Sequence, residues 1–257
     1  MTPSKTRLLC FVLAISILFT CAMVNAEDSQ PFPGEDLNSQ LVVSCHRLEI
    51  DRVVSLLRTG ARVNSRFSNG DPANLRDPWF GSTPQFFASW TPLIALCASD
   101  STPPPPVTFN RNDIGYADIA KMRAEARKLF SEELSMRRVS ILRILLSHNC
   151  DVDMTSNGGE SPLYHATSNR YLGICKILLK YKPNINLKTS VGIDLPVGRT
   201  ALHAAAWSPK LRQIFIKHGG DDSILDGAGA TPLELRQEYE RKRLNGSRSN
   251  ESGIFDE

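Results

Sequence analysis

Charge of one sign, cysteine and catalytic signatures are all scarce in this 257-residue chain. Lys and Arg number 30 against 27 Asp and Glu, a formal +3 that falls to +1 without Lys5 and Arg7, so no basic field points to nucleic acid. Of six cysteines, Cys10 and Cys21 lie in the first 26 residues. The others, Cys45, Cys97, Cys150 and Cys175, are too few for a disulfide scaffold, and the fold must stand on apolar burial. No stretch reads Gly-x-x-x-x-Gly-Lys, Gly-x-Ser-x-Gly, His-Glu-x-x-His or Cys-x-x-Cys, which removes the common phosphate, nucleophile-elbow and metal signatures. The five histidines show no metal-ligand spacing. No catalytic residue, cofactor or metal is therefore expected, and the chain reads as a non-enzyme.

What is present begins with an uncharged run over residues 8–24, preceded by Lys5 and Arg7 and followed by Asn25-Ala26. A basic start, an apolar middle and a small residue at the cut are the layout of a cleavable signal peptide, here residues 1–26. The mature chain would then start at Glu27, with a linker to residue 36, and would be secreted or lie in the secretory lumen. Seventeen residues also reach the lower edge of a membrane-spanning helix. The alternative is thus a membrane-tethered or intracellular adaptor with residues 8–24 as an uncleaved anchor.

Beyond residue 36 the chain repeats itself. Thr91-Pro92-Leu93, Ser161-Pro162-Leu163-Tyr164-His165-Ala166, Thr200-Ala201-Leu202-His203-Ala204-Ala205 and Thr231-Pro232-Leu233 resemble one another, each opening a short apolar helix. Between them recurs a second pattern: Leu56-Leu57 to Asn64, Leu145-Leu146 to Asp153, Leu178-Leu179 to Asn186, and more weakly Phe215 to Asp222. Leu41 to Leu56 and Leu163 to Leu178 are each 15 residues, Leu145 to Leu163 and Phe215 to Leu233 each 18, and the period is 33. On these motifs the chain resembles an ankyrin-repeat protein from about Leu37 to Tyr239. The resemblance implies an all-α solenoid of about five helix-turn-helix repeats over 37–240, the first and last imperfect capping units. It also implies that His203 hydrogen-bonds neighbouring backbone. Gly60 and Gly219 suit the left-handed residue that ends each second helix; Asn149 tolerates that conformation, whereas Lys182 before Pro183 departs from the pattern and implies strain or a looser cap.

The same register exposes insertions. Leu93 to Leu145 is 52 residues, 37 too many; Leu56 to Leu93 carries 19 extra, and Leu178 to Leu202 six. The largest, about 100–136, opens with Pro103–Pro106, a stiff polyproline spacer. It continues as an amphipathic helix from Asp113 to about Leu134, with Ile119, Met122, Ala126, Leu129 and Phe130 at helical spacing. This helix is expected to lead into the second helix of its repeat and to pack on the solenoid's flank, a partner-binding helix being the alternative. The extended loop, about 66–90, holds Phe67, Trp79, Phe80, Phe86, Phe87 and Trp90, six of 19 aromatics. Such rings either serve as interface anchors or collapse on the solenoid.

The cysteines read as four buried thiols, a Cys150–Cys175 bridge being the alternative. After residue 240 a disordered polar tail is expected over 241–257, carrying Asn245-Gly246-Ser247 and Asn250-Glu251-Ser252 as N-glycosylation acceptors. The function the resemblance implies is non-catalytic binding of another protein by a monomer, with no nucleic acid and no membrane once the signal is removed. The contact candidates are Arg62, Arg66, Phe67, Trp79, Phe80, Met154, Asn157 and Lys188, on hairpin tips and the aromatic loop.

Overall fold

The computed structural model describes residues 36–67, 89–99, 116–190 and 197–251. The expected signal peptide, most of the linker, Trp79, Phe80, Phe86, Phe87 and the tetraproline lie outside these residues. The described residues form helices and turns with no strand, as an all-α repeat fold requires.

Nine α-helices are described: α1 Leu37–Arg47, α2 Ile50–Arg58, α3 Pro92–Ala98, α4 Tyr116–Ser147, α5 Pro162–Ser168, α6 Leu172–Leu178, α7 Ala201–Ala204, α8 Pro209–Lys217 and α9 Pro232–Glu251. Short 3₁₀ turns, Leu179–Tyr181 and Ala205–Trp207, prolong α6 and α7. The motif residues explain where helices start. Thr91 and Ser161 side chains accept the N–H of Ile94 and Tyr164, and Pro92 and Pro162 occupy the first turn, where a missing N–H costs nothing. Thr231 and Glu234 form a reciprocal cap, Glu234 N–H to Thr231 Oγ1 and Thr231 N–H to Glu234 Oε2, at 3.2 and 2.8 Å.

Helices α1, α3, α5 and α7 stack in order as the inner layer, and α9 closes against α7 and its 3₁₀ turn. Behind them α2, α4 and α6 form the outer layer. The repeated leucine sits between layers, so Leu93, Leu163 and Leu202 are at most 1% exposed. Leu233, the same motif position, is 42% exposed; α9 runs on as one helix, so no separate outer helix covers it. This corrects the expected tail: residues 241–251 continue α9, supported by an Arg236–Glu240 pair and a Lys242–Glu238 pair at 2.7 Å. Asn245 and Asn250 therefore lie on that helix.

Gly60, Asn149 and Gly219 end their second helices in the left-handed region as expected, with φ of 104°, 58° and 93°, and Lys182, which departs from the residue pattern, takes the same conformation with φ 53°. At Lys182 the helix tightens into its 3₁₀ turn first. The insertion enters the outer layer as expected, with α4 continuous through it for 32 residues. Phe130 packs on the core, whereas Leu129 is 44% exposed and does not follow the flank.

The rim opposite the hairpins holds a feature invisible in the repeat pattern. Arg138, 4% exposed, donates from Nε to Ser99 Oγ at 3.0 Å and from Nη2 to Ser99 O at 3.2 Å. Its guanidinium lies 4.2 Å over the Tyr171 ring, and Tyr171 Oη–H donates to the same Ser99 carbonyl. Asn169 donates to Cys97 O at 3.0 Å. Together they pin the end of α3, where the long insertion departs, to α4 and α6.

Candidate functional site

The hairpin tips are built from short polar residues that satisfy one another's backbone. Asn64 Oδ1 accepts Asp151 N–H at 2.7 Å, Asp153 Oδ1 accepts Asn184 N–H at 2.8 Å, and Asn186 Oδ1 accepts Asp221 N–H at 2.9 Å. Each tip is thus tied to the next by one side chain, while Asp151, Asn184 and Asp221 shape their own turns by accepting the N–H two residues on. A second row runs nearer the loop ends: Asn157 N–H to Ser89 Oγ at 2.7 Å and Ser190 N–H to Gly158 O at 2.7 Å. Approach is closest at Gly159, whose φ is +75° and where a Cβ would meet Lys188 O at 2.6 Å; only glycine fits.

On this frame the sequence candidates take different places. Arg62, Asn157 and Lys188 are exposed at successive tips, and Met154 is half-buried between them. Arg66 keeps an exposed side chain but spends Nη1 on the carbonyls of Ser89 and Thr155, bridging two hairpins. Phe67 is corrected: at 7% exposure it belongs to the hydrophobic core, its N–H donating to Trp90 O at 2.8 Å. An aromatic ring beside an apolar groove is removed from water by its own fold before any partner can use it.

The structure adds a cluster that sequence reading missed, on the inner layer below the tips. His46 and Trp90 meet edge-on with centroids 6.1 Å apart, Trp90 and His165 at 5.6 Å. His165 Nε2 lies 3.4 Å from Glu160 Oε2, and Ser156 Oγ–H donates to that carboxylate at 3.1 Å. The imidazole, with the Ser156 hydroxyl assisting, holds the Glu160 carboxyl below its ordinary value against desolvation. Ser, Glu and His are thus adjacent, but in the wrong order for nucleophilic catalysis. The hydroxyl faces the carboxylate instead of the imidazole, and its oxygen also accepts the N–H groups of Gly158 and Glu160, so the constellation locks a turn. Trp90 beside Thr91-Pro92 was the only signal for it; His46 lies 44 residues earlier and His165 75 later.

Farther along, Asp226 accepts Ala228 and Ala230 N–H at 3.0 Å each and pairs with Arg199 Nε at 3.1 Å. Desolvation opposes its ionisation, but these donors outweigh it and lower its pKa. His203 Nδ1 accepts Thr200 N–H at 3.1 Å, leaving Nε2–H to face Ala230 O at 3.2 Å; burial keeps the ring neutral by lowering its pKa. The backbone role the resemblance implied is therefore present. Cys45, Cys97, Cys150 and Cys175 are free thiols, without the Cys150–Cys175 bridge. Among the described residues no three His, Cys, Asp or Glu side chains converge as metal ligands, and no helix is long and apolar enough to cross a membrane.

Paired helices stacked in two layers, with interlocked hairpins along one rim, define a helical repeat scaffold. Residues 134–189 match the family described as ankyrin repeats (3 copies), so ankyrin repeats are present in this chain. No curated protein matches it.

Proposed function

We propose that this chain is a non-catalytic, extracellular or luminal module that binds another protein through its hairpin rim. Ankyrin repeats are in general protein-binding modules. The observation that carries the reading is the interlocking of the tips. Side chains such as Arg62, Asn157 and Lys188 project from turns whose backbone is already fixed by neighbouring hairpins. A partner gains contacts without ordering a loop, which lowers the entropic cost of association. The mature chain begins at Glu27 in this reading, and Asn245 and Asn250 carry glycans.

A photo-crosslinking side chain placed at Arg62, Asn157 or Lys188 in secreting cells tests the surface. The expected result is one shared adduct from all three positions, absent when the probe replaces Lys176 on the outer layer. Equal labelling from Lys176 would sink the rim as the binding face. Intact mass of protein from the medium, with and without deglycosylation, tests compartment and modification together. A species starting at Glu27 supports secretion, and full-length chain retained in carbonate-washed membranes supports the anchored adaptor instead.

A further inference from the structure

The near-neutral total conceals a division of charge along the stack. Residues 161–220 hold nine Lys and Arg against the single Asp194, and α4 from Met136 to Ser147 carries Arg137, Arg138 and Arg143 without an acid. The arginines of 161–220 are spent on the fold: Arg170 lies over the Trp207 ring at 5.3 Å, Arg199 pairs with buried Asp226, and Arg212 pairs with Asp222. The lysines are not. Lys188 belongs to the rim, while Lys176, Lys180, Lys182, Lys210 and Lys217 are exposed behind it, and among the described residues the ion pairs of lysine are those of Lys128 and Lys242. Asp221 and Asp222, just after α8, are held by Ser223 and Arg212.

These cations fall in lines across the backs of neighbouring repeats. Arg143 and Lys176 each precede the repeated leucine, Leu145 or Leu178, by two residues, and Lys180 and Lys217 follow Leu178 and Phe215 by two. Packed helices lie about 8–10 Å apart, and the ends of α6 and α8 are held side by side by Asn186, which donates to Gly219 O and accepts Asp221 N–H, both at 2.9 Å. Lys210 stands two turns before Lys217 on the same exposed side of α8. We propose that this outer face of α4, α6 and α8 binds a sulfated polysaccharide laid across the stack, a partner that rests on the extracellular or luminal reading for access. Charge complementarity selects the occupant. Lines of free ammonium groups make a diffuse positive field, which a flexible polyanion satisfies along its length with release of its counterions. A site for one phosphate or carboxylate would instead present forked guanidinium groups, and in this stretch those are engaged. A bilayer would need a continuous apolar area to enter. Leu172 and Tyr181, 43% and 52% exposed, stand at opposite ends of α6 and its 3₁₀ turn, about 14 Å apart, with Lys176 and Lys180 between them. Tyr181, flanked by Lys180 and Lys182, adds a ring on which a sugar can lie. Arg62, Asn157 and Lys188 lie on the tips rather than on this face, so polymer and rim-bound protein can be held at once.

The test is fluorescence anisotropy of labelled heparin titrated with the purified full chain. Binding is expected at low salt and is expected to weaken steeply as salt rises. Lys180→Glu with Lys217→Glu, both at exposed positions, is expected to keep its helical circular dichroism and to bind at least tenfold more weakly. Lys121→Glu with Lys128→Glu, the same change of charge on the N-terminal half of α4, is expected to bind as the wild type does. Heparin stripped of its sulfates is expected to compete at least tenfold less well than intact heparin. Absence of binding, or equal loss from the two pairs of substitutions, overturns the proposal, and equal competition by the desulfated polymer overturns the part played by sulfate. Vesicles of phosphatidylcholine with about 30% phosphatidylserine that displace the labelled heparin as well as unlabelled heparin does, at equal negative charge, overturn the polysaccharide in favour of a lipid surface. These outcomes are read without the rim and without the compartment. A chain that binds heparin through Lys180 and Lys217 yet stays inside the cell therefore refutes the extracellular reading alone.

Discussion

Arg138 brings a full positive charge among the buried side chains of the second repeat. Its two hydrogen bonds to Ser99 and its stacking on Tyr171 hold the point where the insertion leaves α3. Arg138→Ala is expected to cost about 2–3 kcal/mol by removing two buried hydrogen bonds to Ser99 and the packing against Tyr171, read as a melting point several degrees lower. Arg138→Lys should recover only part of that loss, since an ammonium cannot span both acceptors or stack flat on the ring. Acid acts on other residues. Glu160, Asp226 and His203 all have folded pKa values below their ordinary 4.5, 3.8 and 6.5. Each therefore binds protons more readily in the unfolded chain, and its stabilisation is complete above the ordinary value and lost as pH falls toward and through the folded one. Melting temperature should begin to fall below about pH 6.5 through His203 and fall again near pH 4 through the carboxylates; His203→Gln should flatten the first step and leave the second. Residue roles were legible only where a role belongs to the repeat, as for His203 and the capping Thr91 and Ser161. Arg138 and Ser99 are 39 residues apart, and the insertion between them destroys any spacing that could have linked them.

Helix starts were readable because Thr-Pro and Ser-Pro act within one turn. Helix ends were less so. Lys182 occupies the left-handed cap with φ 53°, a conformation in which a Cβ crowds the following carbonyl. Lys182→Gly is expected to stabilise the chain by about 1 kcal/mol, the relief of that crowding less the extra freedom of unfolded glycine, as measured by urea titration. A neutral or destabilising result would mean that Pro183 and the 3₁₀ turn already absorb the strain. Helix α9 was misjudged at its C-terminal end because Asn, Gly and Ser after Leu244 argue for a tail. The upstream Glu and Arg/Lys pairs at i,i+4 spacing carry the helix farther than composition suggests. The insertion helix was visible from its periodicity, but whether it would lie on the flank was not. Two apolar lines run along it, and only burial separates Phe130 from Leu129.

At the scale of the molecule the 33-residue period determined the architecture, since a repeat that cannot bury its own face must stack on the next. The register also located the long insertion that α4 carries. The surface was legible only in outline: hairpins could be placed, but the Arg66 bridge and the His46–Trp90–His165 row depend on repeats meeting in space. Thiols report on the whole stack. Burial pushes Cys175 up to about 11 and Cys150 up to about 12, and raises Cys45 and Cys97 as well. A thiol so held is neither ionised nor reachable at neutral pH. Alkylation at pH 8 should therefore leave Cys45, Cys97 and Cys175 unmodified in the native protein and reach all four together through the urea transition. Labelling of Cys45 at lower urea than Cys175 would show that the first repeats open on their own.

The uninterrupted α4 also sets a schedule for synthesis. The inner helix holding Leu93 cannot be covered until Ile141, Leu142 and Leu145 have been made, and Leu145 comes 52 residues later. At about 5–20 residues per second, the side of α3 turned to the outer layer waits on the order of 3–10 s for its cover. The nascent chain is most vulnerable to aggregation and most in need of a chaperone during that pause.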